Sequence, residues 1–294
     1  MMDRLKNQFA IGWMAKQFNV ARSGYYAWVE RQKNPGKREK ENAELTARIK
    51  IIFHDQKKYY GSPRVHAELR ANDHHVGRNR VARLMANDGL KAKCRRRFRH
   101  CHRTGVQAVA PNLLARQFQP IRPDLNWAGD ITYIRTSDGW RYLAVWIDLY
   151  SRRVVGWKLG ASMEASLVIE ALNRAIGARS VNLEQLIIHT DQGSQYTGKA
   201  FQQKLVEKDI TCSMSRKGNC WDNACVESFF ATLKDELEVE LGLLRTPEEL
   251  LKDLAFWIDG YYNPERRHSS IGYYSPIAFE NRTQISANVT LRVA

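Results

Sequence analysis

Between residues 126 and 237 the hydrophobic pattern switches repeatedly between the strand and helix periods, and that succession limits the folds open to the chain. NWAGDITYIRT (126–136) alternates as a strand, and SDG at 137–139 supplies a turn. WRYLAVWIDLY (140–150) is a long buried strand and RRVVGWKLG (152–160) a third, so three strands in succession predict an antiparallel meander. EASLVIEALNRAIGARS (164–180) then reads as a helix, and EQLIIHTD (184–191) as a short strand opening into the loop QGSQYTG. TGKAFQQKLVEKD (197–209) is helical, ITCSMSR (210–216) is a fifth strand, and NCWDNACVESFFATLK (219–234) opens the next helix.

The order βββ-α-β-α-β-α resembles a ribonuclease-H-like core, an α/β domain in which helices cover a five-stranded mixed sheet. In that arrangement the first and fourth strands are neighbours at the sheet centre. Asp130 lies on the first strand, on the face of Thr132 and Ile134, and Asp191 ends the fourth, on the face of His189 and Ile187. The two carboxylates are therefore expected to converge. Asp222 or Asn223 is expected to cap the following helix. Val226, Phe229, Phe230, Leu233 and Leu237 form its apolar stripe, with Glu227 and Lys234 two turns apart on one flank. Three hard oxygen donors from Asp and Glu suit Mg²⁺ or Mn²⁺. Two such ions together can activate an attacking oxygen and stabilise the leaving oxygen at a phosphodiester. Cys220 and Cys225 have no matching Cys or His pair nearby and are read as packing.

The other half of the chain differs in charge. Of the formal net charge of +15, residues 1–118 carry 26 Lys and Arg against 9 Asp and Glu, while the remainder carries 20 against 22. A basic module joined to a near-neutral one points to a phosphate-backbone anchor, hence to nucleic acid. Two helix-turn-helix patterns lie in the basic part. In the first, WMAKQF (13–18) precedes SGYYAWVERQ (23–32), with Ser23 expected as N-cap. In the second, SPRVHAELRAN (62–72) precedes GRNRVARLMANDGL (77–90), with Val65, Leu69, Val81, Leu84 and Met85 as the buried positions. Arg78, Arg80 and Arg83 open that last helix, where a recognition helix meets the major groove and its phosphates. In KAKCRRRFRHCHRTG (91–105), Arg95, Arg96 and Arg97 track phosphate, whereas Cys94, His100, Cys101 and His102 do not have the spacing of a zinc tetrahedron.

WAGDITYI, YLAVWIDLYSRRVVGW, HTDQGSQY and SRKGNCWDNACVESFFATLK resemble bacterial insertion-sequence transposases of the class encoded by the element's second reading frame. These belong to the DDE superfamily, with the retroviral integrases. Residues 192–226 separate Asp191 from Glu227, the D-x35-E spacing of that superfamily. GSPRVHAEL resembles the family's helix-turn-helix region and YYNPERRHSSIGYYSPIAF (261–279) its C-terminal tail, so the resemblance spans essentially the whole chain. One local departure is Ala128-Gly129 ahead of the first Asp, where relatives often carry a polar residue.

The resemblance implies that Asp130, Asp191 and Glu227 are the catalytic and metal-binding triad, holding two Mg²⁺ (or Mn²⁺) ions, and that Lys234 contacts DNA. It implies cleavage at the element ends to expose a 3′-OH, then attack of that 3′-OH on target DNA. It also implies a homo-oligomer on DNA, fusion to or assistance from an upstream reading-frame product, and a bacterial, nucleoid-associated, cytoplasmic location.

The expected organisation is a helix-turn-helix-like segment (1–40), a basic helix-turn-helix DNA-binding domain (41–105), a linker (106–120) and an integrase-like catalytic core with its tail (121–282). Five cysteines in no disulfide framework suit a reducing cytoplasm, and apolar runs such as LAVWI (143–147) are too short to span a membrane. His189 either tunes the site or is hydrogen-bonded structure. Asp148 reads as a turn charge rather than a fourth ligand. Asn219 and Asn223 either touch DNA or serve as turn and cap residues. Tyr261, Tyr262, Arg266, Arg267 and His268 either hold DNA or pack the tail. A non-catalytic DNA-binding regulator of transposition, and a nuclease that cuts without joining, are the competing functions.

Overall fold

The computed structural model describes residues 1–93, 110–216, 220–239 and 244–283, with the side chains of residues 220 and 221 outside the description. Arg95, Arg96, Arg97, Cys94, His100, Cys101, His102 and Asn219 therefore lie outside the described residues. The chain divides into two compact units, Met1–Lys93 and Cys94–Ala294. Among the described residues no helix is long and apolar enough to cross a membrane.

The first unit is all helix: α1 (Met2–Leu5), α2 (Ile11–Gln17), α3 (Arg22–Lys33), α4 (Lys37–Asp55), α5 (Ser62–Ala71) and α6 (Arg78–Asn87). The expected helix pairs are α2–α3 and α5–α6. Ser23 does not cap α3; Ala21 occupies that position with no side-chain bond, because the helix starts one residue before the serine. The longest element, α4, runs through residue 40, so the boundary expected there falls inside a helix. Its Ile49 and Phe53 join Val65, Leu69, Val81, Leu84 and Met85 in one core, giving α5 and α6 a third helix to pack on.

The second unit holds β1 (Asn126–Thr136), β2 (Gly139–Asp148), β3 (Val154–Gly160), α7 (Ala165–Ala178), β4 (Ile187–Thr190), α8 (Ser194–Thr197), α9 (Lys199–Glu207), β5 (Thr211–Met214), α10 (Ala224–Glu236) and α11 (Pro247–Ala255). The sheet order is β3-β2-β1-β4-β5. β1, β2 and β3 form the antiparallel meander, while β4 pairs in parallel with both β1 and β5. This is the ribonuclease-H-like arrangement. Period two divides the strands between two cores. Ala128, Ile134, Leu143, Val145 and Ile147 meet α10 and α11, whereas Trp127, Ala144, Trp146 and Ile188 meet α7, α8 and α9. Both faces of β2 are covered, which is why its apolar run is continuous.

Two expectations change at the margins. The described part of the expected linker, 110–120, lies against the core: Leu114 is buried, Pro111 O accepts from Met214 N, and Leu113 N donates to Ser213 Oγ. Leu114 and Phe118 are apolar and gain from that burial. The C-terminal segment is also built in. After α11 the chain continues as a π-helical turn (Phe256–Tyr262), and Arg266 reaches back to Glu236 on α10 with contacts of 3.0, 3.0 and 2.6 Å. Tyr262 is buried, with its hydroxyl donating to Arg152 O. Tyr262 and Arg266 thus pack the tail. Arg266 is 2 % exposed and Glu236 6 %, so removing one charge strands the other. Arg266→Ala should cost about 3–5 kcal/mol of unfolding free energy, and Glu236→Leu/Arg266→Met should recover most of it, as read by thermal or urea unfolding.

Candidate functional site

The site begins where the β1–β4 ladder ends. Its last pair is Ala128 with His189. Asp130 and Asp191 each lie two residues further on, the first still within β1 and the second just past the end of β4. Both are half-buried. Asp130 Oδ1 accepts the N–H of Ile131 at 2.7 Å, and Asp191 Oδ1 accepts the N–H of Gly193 at 2.9 Å, closing a turn that lifts the chain off β4.

Helix α10 is held alongside β1 at two points. Asn223, at its N-terminus, donates its amide to Gly129 O at 3.5 Å, and Lys234 Nζ lies 4.9 Å from the centre of the Tyr133 ring. At about 1.5 Å per helical residue and about 3.4 Å per strand residue, Glu227 falls abreast of residues 130–131. It is half-buried, flanked by the buried stripe Val226, Phe229, Phe230 and Leu233. Glu227 thus falls along the same stretch of β1 as Asp130, while Asp191 follows the end of β4.

Asp222 does not cap this helix; no side-chain cap is formed at its N-terminus. Asp222 is 0 % exposed and gathers three segments. It accepts from Arg216 N, Nε and Nη2 at 3.0, 2.9 and 2.9 Å, from Arg116 Nε at 2.9 Å, and from Asn112 Nδ2 at 2.9 Å. The Arg216 guanidinium, aided by its backbone N–H and by Arg116, holds the carboxyl well below the usual range. The local sequence reads as a cap because Asp is a favoured N-cap residue; Arg216 is only six positions away, but Asn112 and Arg116, more than a hundred positions away, leave no local trace.

Family comparisons agree with this architecture. An integrase core domain profile matches residues 120–220, a second integrase core domain profile matches 208–276, and an HTH-like domain profile matches 39–98. The transposase InsF for insertion sequence IS3A of Escherichia coli (strain K12) is 39% identical over 283 residues, 96% of this chain and 97% of that protein. The chain belongs to the IS3 family of transposases. The transposase for insertion sequence element IS904 of Lactococcus lactis subsp. lactis (strain IL1403) is 40% identical over 84% of this chain and 98% of its own length. The magnesium complex of the HTLV-2 integrase catalytic core domain is similar at a TM-score of 0.42 and 19% identity, over 55% of this chain and 99% of that one.

In this transposase the other polar candidates are structural. His189 is buried and shares a hydrogen bond with Ser213 Oγ at 2.9 Å; burial, opposed by Asp222, pushes its pKa down to about 4, so the ring is neutral. Asp148 is buried and accepts the N–H groups of Asp124, Tyr150 and Ser151 at 2.6, 2.8 and 3.0 Å, shaping the β2–β3 turn. Cys225 accepts from Arg152 Nη1 at 2.9 Å, and burial pushes its thiol up, which leaves it as packing. Gly129 explains the departure before Asp130: a Cβ there would stand 2.3 Å from Trp146, whose indole covers the strand.

Among the described residues no three His, Cys, Asp or Glu side chains close into a metal-binding group. As donors the three carboxylates still fit Mg²⁺ or Mn²⁺: all are oxygen ligands, half-buried, and such ions keep waters and substrate oxygens as their remaining ligands. In the helical unit Arg78 and Arg83 are exposed on α6, whereas Arg80 is turned to α4, donating to Asn42 Oδ1 at 2.9 Å and pairing with Glu41.

Burial pushes the Asp148 carboxyl up to about 6 against the pull of its backbone donors. The folded chain then binds this proton more tightly than the unfolded one. The Asp148 contribution therefore favours folding below about pH 4 and declines as pH rises through about 6. Wild type should lose up to about 3 kcal/mol relative to Asp148→Asn between about pH 4 and 7, measured by urea unfolding at each pH. Asp222→Asn should cost about 2 kcal/mol and speed hydrogen exchange in the first turns of α10.

Proposed function

We propose that this transposase cleaves DNA at the ends of its insertion element and joins the exposed 3′-OH to target DNA, with Asp130, Asp191 and Glu227 as its catalytic and metal-binding residues. The observation that supports the proposal is the place of these residues in the fold: Asp130 is on β1, Asp191 follows its parallel neighbour β4, and Glu227 is in the first turn of a helix anchored beside β1. A pair of Mg²⁺ or Mn²⁺ ions held there would activate the attacking oxygen and stabilise the leaving one. Asp130 and Asp191, on the central strands, set a fixed edge on which a scissile phosphate is aligned. Glu227 completes the acidic set from the helix side. Cleavage and joining are both in-line displacements at phosphorus, so one site serves both and no protein nucleophile is required.

Lys234, beside Tyr133, contacts a phosphate flanking that edge, while Arg78 and Arg83 on α6, together with Arg95, Arg96 and Arg97, anchor the element end. The partners are double-stranded DNA at the element ends and at the target. The active form is a homo-oligomer on DNA, working in the bacterial nucleoid, fused to or assisted by an upstream reading-frame product.

Strand transfer with labelled end DNA and Mg²⁺ tests this. Glu227→Gln should lower joining more than about a hundredfold while leaving DNA binding intact. Binding by wild type with no metal-dependent chemistry, even with the upstream product added, would instead identify a regulator. Lys234→Ala should weaken DNA binding about equally across sequences and lower the slope of log K against log salt by about 1.

A further inference from the structure

Near the tip of the β1–β2 hairpin stand two aromatic rings that neither core of the second unit covers. Tyr133 is 55 % exposed and Trp140 49 %, whereas Trp127, Trp146 and Trp157 of the same sheet are buried. The register sets Tyr133 opposite Tyr142 and Arg135 opposite Trp140, so Tyr133, Arg135 and Trp140 share one face. The two rings meet edge to face with centroids 5.3 Å apart. Each has a cation beside it: the Arg135 guanidinium lies 6.0 Å from the Trp140 centroid, and Lys234 Nζ lies 4.9 Å from that of Tyr133. Lys234 joins from α10, which packs on the opposite face with Ala128 and Ile134. Beyond Ala128 β1 is paired only with β2, so the cluster spans the edge that β4 leaves unpaired.

The hairpin turn is held by other contacts. Thr136 Oγ1 donates to Gly139 O at 2.8 Å, Ser137 N donates to Arg245 O at 2.9 Å, and Gly139 takes a φ of 103°. Half-exposed rings also bury little apolar area in return for their size. Exposed rings bracketed by cations suit a nucleobase whose own face is open, with its phosphate against the cations. In a paired duplex each base face is already covered by its neighbours, so such rings favour an unpaired nucleotide. We propose that Tyr133, Trp140, Arg135 and Lys234 form a binding site for an unpaired DNA nucleotide next to the Asp130 edge. Asp130 is three residues before Tyr133 on β1, about 10 Å along the strand. The placement of that nucleotide, though not the stacking itself, rests on the proposed DNA cleavage at Asp130.

Binding of the full chain, without divalent metal, to element-end duplexes that are blunt or carry a short unpaired tail tests this, with a fluorescent adenine analogue in the tail. Wild type should bind the tailed duplex more tightly and quench the analogue. Trp140→Ala and Tyr133→Ala should weaken tailed binding about five- to a hundredfold and relieve the quenching, with blunt binding unchanged. Trp140→Phe and Tyr133→Phe should keep most of the tail preference, because stacking needs only a ring. Equal affinity of wild type for both duplexes, or unchanged tailed binding in both alanine variants, would overturn the proposal. An equal loss on both duplexes would assign the rings to duplex contact or to hairpin packing and also overturn it. Strand transfer is read separately: a tail preference that falls in the alanine variants while wild type joins no DNA would sink the cleavage reading and leave the stacking site standing.

Discussion

The parallel pairing of β1 with β4 covers three residue pairs and stops at Ala128 and His189, and the placement of charge in the second unit depends on where it stops. Inside the ladder both sheet faces are covered, and a carboxylate there would lose its hydration to an apolar layer. Beyond it the chain leaves β4 through the Asp191 turn, and β1 continues paired only with β2. Side chains at that point reach an edge while the backbone behind them stays fixed in a central strand. Asp130 and Asp191 are therefore rigidly mounted and still half-exposed, a combination that neither a core position nor a surface loop provides.

The third carboxylate needs a different device, because a helix packed only by an apolar stripe can slide or roll. The stripe on α10 is met by polar contacts at both ends: Asn223 on Gly129 O and Lys234 over Tyr133. Asp222 joins the start of the helix to Arg216 and to the 112–116 segment, and Glu236 joins its end to Arg266. The chain before β1 and the chain after α11 thus both bear on the helix that carries Glu227. Changes in either segment are expected to be felt at the site through geometry rather than through contact with DNA.

The strands and most helices were legible because each is encoded by local period: alternation in β1, a continuous apolar run in β2, a stripe at helical spacing in α10. The elements that carry Asp130, Asp191 and Glu227 were legible for a related reason, since strand order brings β1 beside β4 and Glu227 falls in the first turn of a helix. What local pattern does not carry is a partner far away in the chain. Asp222 looks like a cap, and only the fold brings Asn112 and Arg116 to it. Arg266 reads equally as a DNA contact or an anchor until Glu236 is seen beside it. Helix α11 did carry a local signal, Thr246-Pro247-Glu248-Glu249, a capping box with proline in the first turn.

Carboxylates in the second unit differ in environment, and the buried ones are explained by their partners. Asp148, Asp222 and Glu236 are buried, and each is surrounded by donors that account for its presence: backbone N–H groups for the first, guanidinium groups for the other two. Such groups are costly to disturb, and none has open space in which a substrate oxygen can approach. Asp130, Asp191 and Glu227 are half-buried on one edge. Buried carboxylates are thus explained by the donors that surround them, whereas the half-buried three keep part of their hydration.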